Sequence, residues 1–365
     1  MFKYFKYIFT SKIIFSSPRS SKVLFYNGAG AIALSKLLQP WNPEILYIEG
    51  EELNLVVLWR SLFTKGSISD AYEDCYIKSV NPSVIITYID NSFRFYSISN
   101  RHSGIKTMFI QNGWRGGVAD TMNSIVNDFS LNAEFGKVDL MCTYGEVMGE
   151  WYSKYLSGEY FSVGSILNNQ FPIARKEKKR RIAFVSNLNS KNHILSEATE
   201  CVLQNLKLYS KRQSIPLAIV GRSDENSEKN YYFDMLGADV EFISKRDLSS
   251  SYEYLDESEV SVSIDTSLGY ETVSRGNKNA FFSILGYFTN SDGHNFGWPA
   301  IYIDKGAFWT NYPDPKEFFR ILDYLFEVTQ EEWEKEIKKT NFSSLITYDQ
   351  DNTIVKSIIE DAILE

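Results

Sequence analysis

Cysteine and histidine are scarce in this 365-residue chain, with three of each. Cys75, Cys142 and Cys201 lie far apart without a CxxC pair, which argues against a disulfide framework or structural zinc and fits a reducing compartment. His102, His193 and His294 are not within helical reach of one another, so no His-based metal centre is expected. Excess positive charge is also missing. The 38 Lys and Arg face 46 Asp and Glu, a net charge of −8, whereas nucleic-acid binders need a basic face to neutralise phosphates. No apolar run reaches the roughly 18–20 residues that span a bilayer. The opening MFKYFKYIFTSKIIF lacks the long apolar centre and cleavage site of a signal peptide. It reads as a first strand or helix with exposed lysines, or as a basic aromatic strip on a membrane surface. GxSxG, Walker A and HExxH patterns are absent, which argues against serine hydrolases, P-loop NTPases and zincins.

The chain has 44% hydrophobic, 23% charged and 15% aromatic residues, enough for a soluble globular protein with a well-supplied core. Its length suggests about two domains. Short apolar strands alternate with helical stretches, the pattern of parallel α/β sheets. Strands are expected at residues 22–26, 44–48, 83–89, 106–110 and 138–143, with helices over 31–38 and 53–63. After the charge run Arg175-Lys-Glu-Lys-Lys-Arg-Arg181 the rhythm resumes, with strands at 182–185, 217–220, 240–243, 260–264 and 280–285. Helices are expected near 193–211, 231–236, 268–274, 315–326, 331–339 and 353–364. The expected architecture is two Rossmann-like domains facing a cleft, GT-B-like, with C-terminal helices. Residues 1–170 form the acceptor-side domain, 171–181 the linker, and 182–365 the nucleotide-sugar domain with its helical tail. Ligands of such sheets bind beyond the carboxyl ends of strands.

Three strand-end constellations carry potential chemistry. Asn27-Gly-Ala-Gly30 links a strand to a helix, where Asn27 and Gly28 suit a phosphate or sugar, or simply a tight turn. Gln111-Asn-Gly-Trp-Arg-Gly-Gly117, running on to Asp120, presents Gln111, Asn112 and Gly113 with Arg115, a planar fork for a carboxylate or phosphate. The same Arg also suits a salt bridge bracing the glycines. Asp265-Thr-Ser-Leu-Gly-Tyr-Glu271 places Thr266 and Ser267 at a helix N-terminus, an anion site or an ordinary N-cap. Gly269 lies in its first turn, and Glu271 is suited to ribose or base hydroxyls. Further polar loops supply Glu146, Ser186, Asn187 and Arg222. Asp349-Gln-Asp351 lies between tail helices and reads as surface, so no metal is expected.

Phe109–Arg115, Val163–Asn169 and Asp265–Glu271 resemble bacterial surface-carbohydrate biosynthesis proteins. They are similar to GT-B glycosyltransferases that use CMP-activated 2-keto sugar acids, the β-Kdo transferases among them. The resemblance implies a metal-independent transferase, without a cofactor, moving Kdo or a nonulosonate from its CMP donor to a capsule, O-antigen or lipopolysaccharide glycan. Thr266 and Ser267 would hold the CMP phosphate, with Gly269 also on the donor side, Glu271 near the nucleoside, and Arg222 or the loop carrying Ser186 and Asn187 in place of the relatives' His-Pro pair. The acceptor, a glycan or lipid-linked glycan, would meet Gln111–Arg115. Where relatives carry an acidic-acidic-Gly motif this chain has Gln111-Asn112-Gly113, and their His-Pro pair is absent. The catalytic carboxylate is therefore sought among Asp120, Asp265 and Glu146, either as base or, with retention, as a covalent nucleophile. A transferase using a UDP- or GDP-sugar and a non-catalytic glycan-assembly subunit remain alternatives. A cytoplasmic protein is expected, with peripheral association at the inner face of the cytoplasmic membrane.

Overall fold

The computed structural model describes residues 11–115, 136–173, 177–188, 193–223, 226–264 and 266–364. In the first half, strands β1 (Lys12–Ile14), β2 (Val23–Tyr26), β3 (Glu44–Leu46), β4 (Glu52–Asn54), β5 (Val84–Thr87), β6 (Lys106–Ile110), β7 (Lys137–Thr143) and β8 (Ser157–Ser162) alternate with helices. These include α1 (Ala31–Leu38), α2 (Leu55–Ser61), α3 (Ile68–Val80) and α4 (Glu146–Tyr152). The order β3-β2-β5-β6-β7-β8 is parallel throughout, whereas β1 and β4 form a separate parallel pair. This is a doubly wound sheet whose order reverses between β2 and β5. The fully buried Val84-Ile-Ile-Thr87 in its middle is the apolar run that a strand covered on both faces requires.

The second half contains β9 (Lys179–Val185), α5 (His193–Gln213), β10 (Leu217–Val220), α6 (Asn226–Leu236), β11 (Glu241–Ile243), α7 (Ser250–Asp256) and β12 (Ser258–Ser263). It continues with α8 (Ser267–Ser274), β13 (Asn279–Phe282), β14 (Trp309–Thr310), α9 (Pro315–Glu327) and α10 (Thr353–Leu364). The order β11-β10-β9-β12-β13-β14 is again parallel, the arrangement 3-2-1-4-5-6 of dinucleotide-binding sheets, with its switch point between β9 and β12. β9 begins at Lys179, inside the stretch expected as linker, because Lys179 pairs with Ser258 and its N–H donates to the Glu257 carbonyl.

The last helix departs from expectation. Val355, Ile358, Ile359 and Ala362 of α10 pack with Val23, Phe25, Val84 and Ile86 of the first sheet, so α10 crosses back rather than ending the second half. An amphipathic helix shows which face must be buried but not which sheet receives it. Asp349, expected at the surface, is buried and accepts from Thr353 Oγ1 (2.6 Å) and the Ile354 N–H (2.8 Å), capping α10.

The halves are joined by polar and aromatic contacts. Buried Arg275 and Asp256 pair through Nε and Oδ1 at 2.9 Å. The same guanidinium donates to the carbonyls of Phe171 (2.9 Å) and Pro172 (3.0 Å) at the junction. Trp114 stacks on Tyr270 with centroids 3.9 Å apart, and Trp151 meets Trp298 at 5.8 Å.

Candidate functional site

A cleft of about 590 Å³ opens between the sheets. Tyr88 after β5, Asn112 and Trp114 after β6, Tyr144 after β7, and Ser165 after β8 line one side. Ser186 and Asn187 after β9, Gly221 and Arg222 after β10, Lys245 after β11, and Thr266 and Ser267 after β12 line the other, with Tyr252, Glu271 and His294. Every strand-end contribution lies beyond a carboxyl terminus, where doubly wound sheets take their ligands.

The start of α8 is the meeting point. Thr266 adopts extended φ/ψ and its Oγ1 accepts from the Leu268 N–H (3.1 Å), so it is the N-cap. Ser267 Oγ accepts from the Trp114 N–H across the cleft (2.7 Å). One turn on, Glu271 is only 5% exposed and accepts from Tyr252 Oη (2.8 Å) and Tyr144 Oη (3.4 Å). Burial pushes its carboxyl above the usual carboxylate range, against the opposing bonds from Ser165, Tyr252 and Tyr144. A carboxyl in this state accepts strong hydrogen bonds when ionised and is costly to leave unpaired.

Cationic and donor groups converge on the second-half wall. Arg222 and Lys245 are exposed, and neither side-chain cation has a partner among the described residues. Asn187 is buried, and its Nδ2 has no hydrogen-bond partner among the described residues. Such an orphan donor is rare in a folded interior and points to a ligand or water. The loop after β10 is held by Glu228, which accepts from the backbone N–H groups of Arg222 (3.0 Å) and Ser223 (2.9 Å). Glu228 also accepts from Ser186 Oγ, while Tyr232 Oη donates to that hydroxyl (2.7 Å). The Ser186 side chain is thereby engaged within the protein, although the residue lines the cleft.

Other expected site residues land elsewhere. Arg115, expected to clamp an anion, is committed to the fully buried Asp90 through Nε (2.8 Å) and Nη2, and to Asn112 Oδ1 (2.7 Å). A desolvated carboxylate holds its guanidinium partner tightly, so Arg115 braces the loop. Gln111 is fully buried, donating to the Gly113 carbonyl (2.8 Å) and accepting from the Tyr144 N–H (2.8 Å). A Cβ on Gly113 would sit 3.3 Å from Ser267 Oγ. Asn27 and Gly28 form a tight turn outside the cleft lining. Asn27 has φ 68°, and the Tyr47 ring fills the space beside Gly28, 2.3 Å from a built Cβ. Gly269 is a packing glycine, because a Cβ there would lie 2.2 Å from Ser263 Oγ. Glu146 is exposed at the first turn of α4, outside the cleft lining. Asp120 and Asp265 lie outside the described residues. Tyr88, Lys245 and Tyr252 are not singled out in the sequence, whereas Ser165 lies in the Val163–Asn169 segment and His294 is weighed there only as a metal ligand. Lys245 follows the expected strand 240–243, so the strand-end rule points to it, whereas Tyr88 falls inside the expected strand 83–89 and comes to the strand end only because β5 stops at Thr87.

The chain matches, over residues 108–363, the model of a family described as "putative O-antigen biosynthesis protein". The chain belongs to that family. No curated protein matches the sequence. Among solved structures, the UDP-GlcNAc 2-epimerase of Neisseria meningitidis bound to UDP-GlcNAc is similar with TM-score 0.57 and 11% identity, covering 97% of this chain and 99% of that one. The wall teichoic acid polymerase TagF, as a variant soaked with CDPG, is similar with TM-score 0.55 and 10% identity over 95% and 89%. HepE of Anabaena, in complex with UDP and glucose, gives TM-score 0.51 and 11% identity over 94% and 100%. These likenesses establish the GT-B-like fold for this O-antigen biosynthesis family member.

Proposed function

We propose that the chain is a glycosyltransferase of surface-glycan assembly, taking its sugar from a nucleotide-activated donor bound in the cleft. The reading is carried by the convergence of the α8 N-terminus, the free cations of Arg222 and Lys245, and the orphan donor of Asn187 at the switch point of a 3-2-1-4-5-6 sheet. A helix N-terminus with hydroxyls and nearby cations stabilises a leaving phosphate without metal. Glu271, dry and held by two tyrosines, is placed to take the ribose hydroxyls.

The donor proposed is a CMP-activated 2-keto sugar acid, Kdo or a nonulosonate. Its phosphate takes Thr266, Ser267 and the α8 N–H groups. With Arg115 held by Asp90, its carboxylate takes Arg222 or Lys245. Because the anomeric carbon ionises readily to an oxocarbenium-like state, catalysis is positioning plus charge stabilisation. The reacting carboxylate is Asp265, the chain neighbour of Thr266, or Asp120. With inversion it accepts the acceptor hydroxyl's proton as that oxygen bonds the anomeric carbon and CMP departs. With retention its oxygen first bonds the anomeric carbon as CMP departs, giving a glycosyl ester; the acceptor oxygen then bonds that carbon as the ester bond breaks, and the released carboxylate takes the hydroxyl proton. A nucleoside diphosphate sugar is the second reading. It is favoured by the UDP-GlcNAc, UDP and CDPG that accompany the similar structures, and its two phosphates would occupy both cations.

Calorimetry with CMP, CDP and UDP ranks the donors, and transfer from CMP-Kdo to a glycan acceptor, resistant to EDTA, is the expected result. Preference for UDP with transfer from a UDP-sugar selects the second reading. Conversion of UDP-GlcNAc without an acceptor, or no nucleotide binding, overturns the transferase. Asp265→Ala or Asp120→Ala should lower turnover by about 10²–10⁴ with donor binding retained, whereas an assembly subunit has no turnover to lose.

A further inference from the structure

The first half holds a second cavity, outside the cleft. The β1–β4 pair stands apart from the main sheet, and beside the edge strand β3 it leaves a groove of about 340 Å³. Ligand pockets run from about 300 Å³ upward. Ser16 and Ser17 just past β1, Glu52 and Asn54 of β4, and Glu44 of β3 form its walls. Tyr47, which follows β3, and Tyr72 and Tyr76 of α3 supply aromatic surface. Among the described residues no Lys, Arg or His lines it.

The polar groups of the groove are held in place but not used up. Asn54 is buried and donates from Nδ2 to the Ser16 carbonyl (2.8 Å), fixing the chain past β1. Its N–H donates to Tyr72 Oη (3.0 Å), which leaves that phenol's own proton for another acceptor. Tyr76 Oη donates to the Ile45 carbonyl (2.9 Å), with Glu44 Oε1 also in reach (3.2 Å), and so anchors α3 to β3. Glu52 pairs with Lys12 through Oε1 (2.7 Å), while its Oε2 accepts nothing from the described residues. The exposed Ser16 and Ser17 hydroxyls also have no partner among the described residues.

This set of groups selects its ligand. A sugar packs its C–H face on an aromatic ring, while its hydroxyls donate to carboxylates and accept from phenols and serines. Charged ligands fit poorly. Two carboxylates in walls without a cation repel an anion. A cationic ligand meets carboxylates already held at the rim, Glu52 by Lys12 and Glu44 by Arg19, whose Nε lies 3.5 Å from Oε2. Arg19 is itself committed to the Asn42 (2.7 Å) and Pro43 (3.0 Å) carbonyls. No group of three or more His, Cys, Asp or Glu among the described residues could hold a metal.

The Asn27–Gly30 turn lies between the groove and the cleft. Tyr47 packs on it from the groove, 2.3 Å from a Cβ built at Gly28. Tyr88, which lines the cleft, packs on the same turn, 2.4 Å from a Cβ built at Gly30. We propose that the groove is a second carbohydrate site, holding an uncharged stretch of the glycan whose end reacts in the cleft. Sugar binding stands on the groove itself, and only its assignment to the acceptor rests on the transferase reading.

Affinity electrophoresis of the full chain through gels containing dextran, galactomannan or xyloglucan tests this, with polygalacturonate as the anionic comparison. At least one neutral polysaccharide should retard the chain about tenfold more strongly than polygalacturonate does, and saturating CMP or UDP should not relieve the retardation. Ser17→Trp fills the groove from an exposed position and Glu52→Gln keeps its shape; each should weaken retardation about tenfold with melting temperature unchanged. Retardation by none of the three neutral polysaccharides, or equal retardation of both variants and the parent chain, overturns the proposal. Stronger binding to polygalacturonate does so too, because it makes the groove an anion site. Where transfer is observed, Ser17→Trp should raise the KM of a long glycan acceptor about tenfold, with kcat and the KM of a monosaccharide acceptor unchanged. An unchanged KM for the long acceptor overturns the assignment of the groove to the acceptor. Retardation without any transfer overturns the transferase reading and leaves the carbohydrate site standing.

Discussion

At the scale of single residues, Glu271 shows how burial changes the meaning of a motif. In the sequence it is one acidic residue a turn into a helix; in the fold it is a dry carboxyl between Tyr144 and Tyr252. Its folded-state pKa is raised, so the folded state binds protons more readily than the unfolded one. Stability should therefore fall as pH rises from about 4 through the raised value, then level off once the carboxyl is ionised in both states. Glu271→Gln should flatten that slope in urea denaturation across pH. If Glu271 holds donor hydroxyls, the same variant should raise the donor KM about tenfold or more with little change in kcat. Arg222→Ala and Lys245→Ala should each weaken nucleotide binding about tenfold and reduce its salt dependence by calorimetry. Both side chains are exposed, so melting temperature should stay unchanged.

At the scale of elements, the site depends on how α8 is seated. Gly269 lets that helix approach Ser263 on β12, and Trp114 from the first half closes on Ser267. A Gly269→Ala variant must push α8 off the strand, costing about 1–3 kcal/mol. It should weaken nucleotide binding more than Arg222→Ala does, because it moves the whole N-terminus. The aromatic excess has a matching role. The structure divides the aromatic residues around the cleft. Trp114 and Tyr144 line the cleft, whereas Phe296 is fully buried and the buried Tyr270 accepts through Oη from the Gly297 N–H (3.0 Å).

At the scale of the whole molecule, two crossings make the halves interdependent. α10 returns from the second half to fill the first sheet's core, and Arg275 ties α8 to the Phe171–Pro172 junction. Ile359→Ala should cost about 2–5 kcal/mol. Arg275→Ala should cost about 3–5 kcal/mol by stranding Asp256 in the interior. Near-UV dichroism from aromatics in both halves should then move together in denaturant, as a single cooperative transition.

By itself the sequence determined the alternation of strands and helices, and with it two parallel sheets and the strand ends where the cleft opens. The segments Lys106–Ile110, Leu217–Val220 and Thr353–Leu364 are legible to the residue, because local periodicity reports which side of an element must be buried. Only the tertiary structure decided the partners. Asp90 lies 25 residues from the Arg115 it captures, Tyr47 fills the turn at Gly28, and α10 selects the distant sheet. Those choices depend on which groups lose water together, and no local pattern in the chain records that.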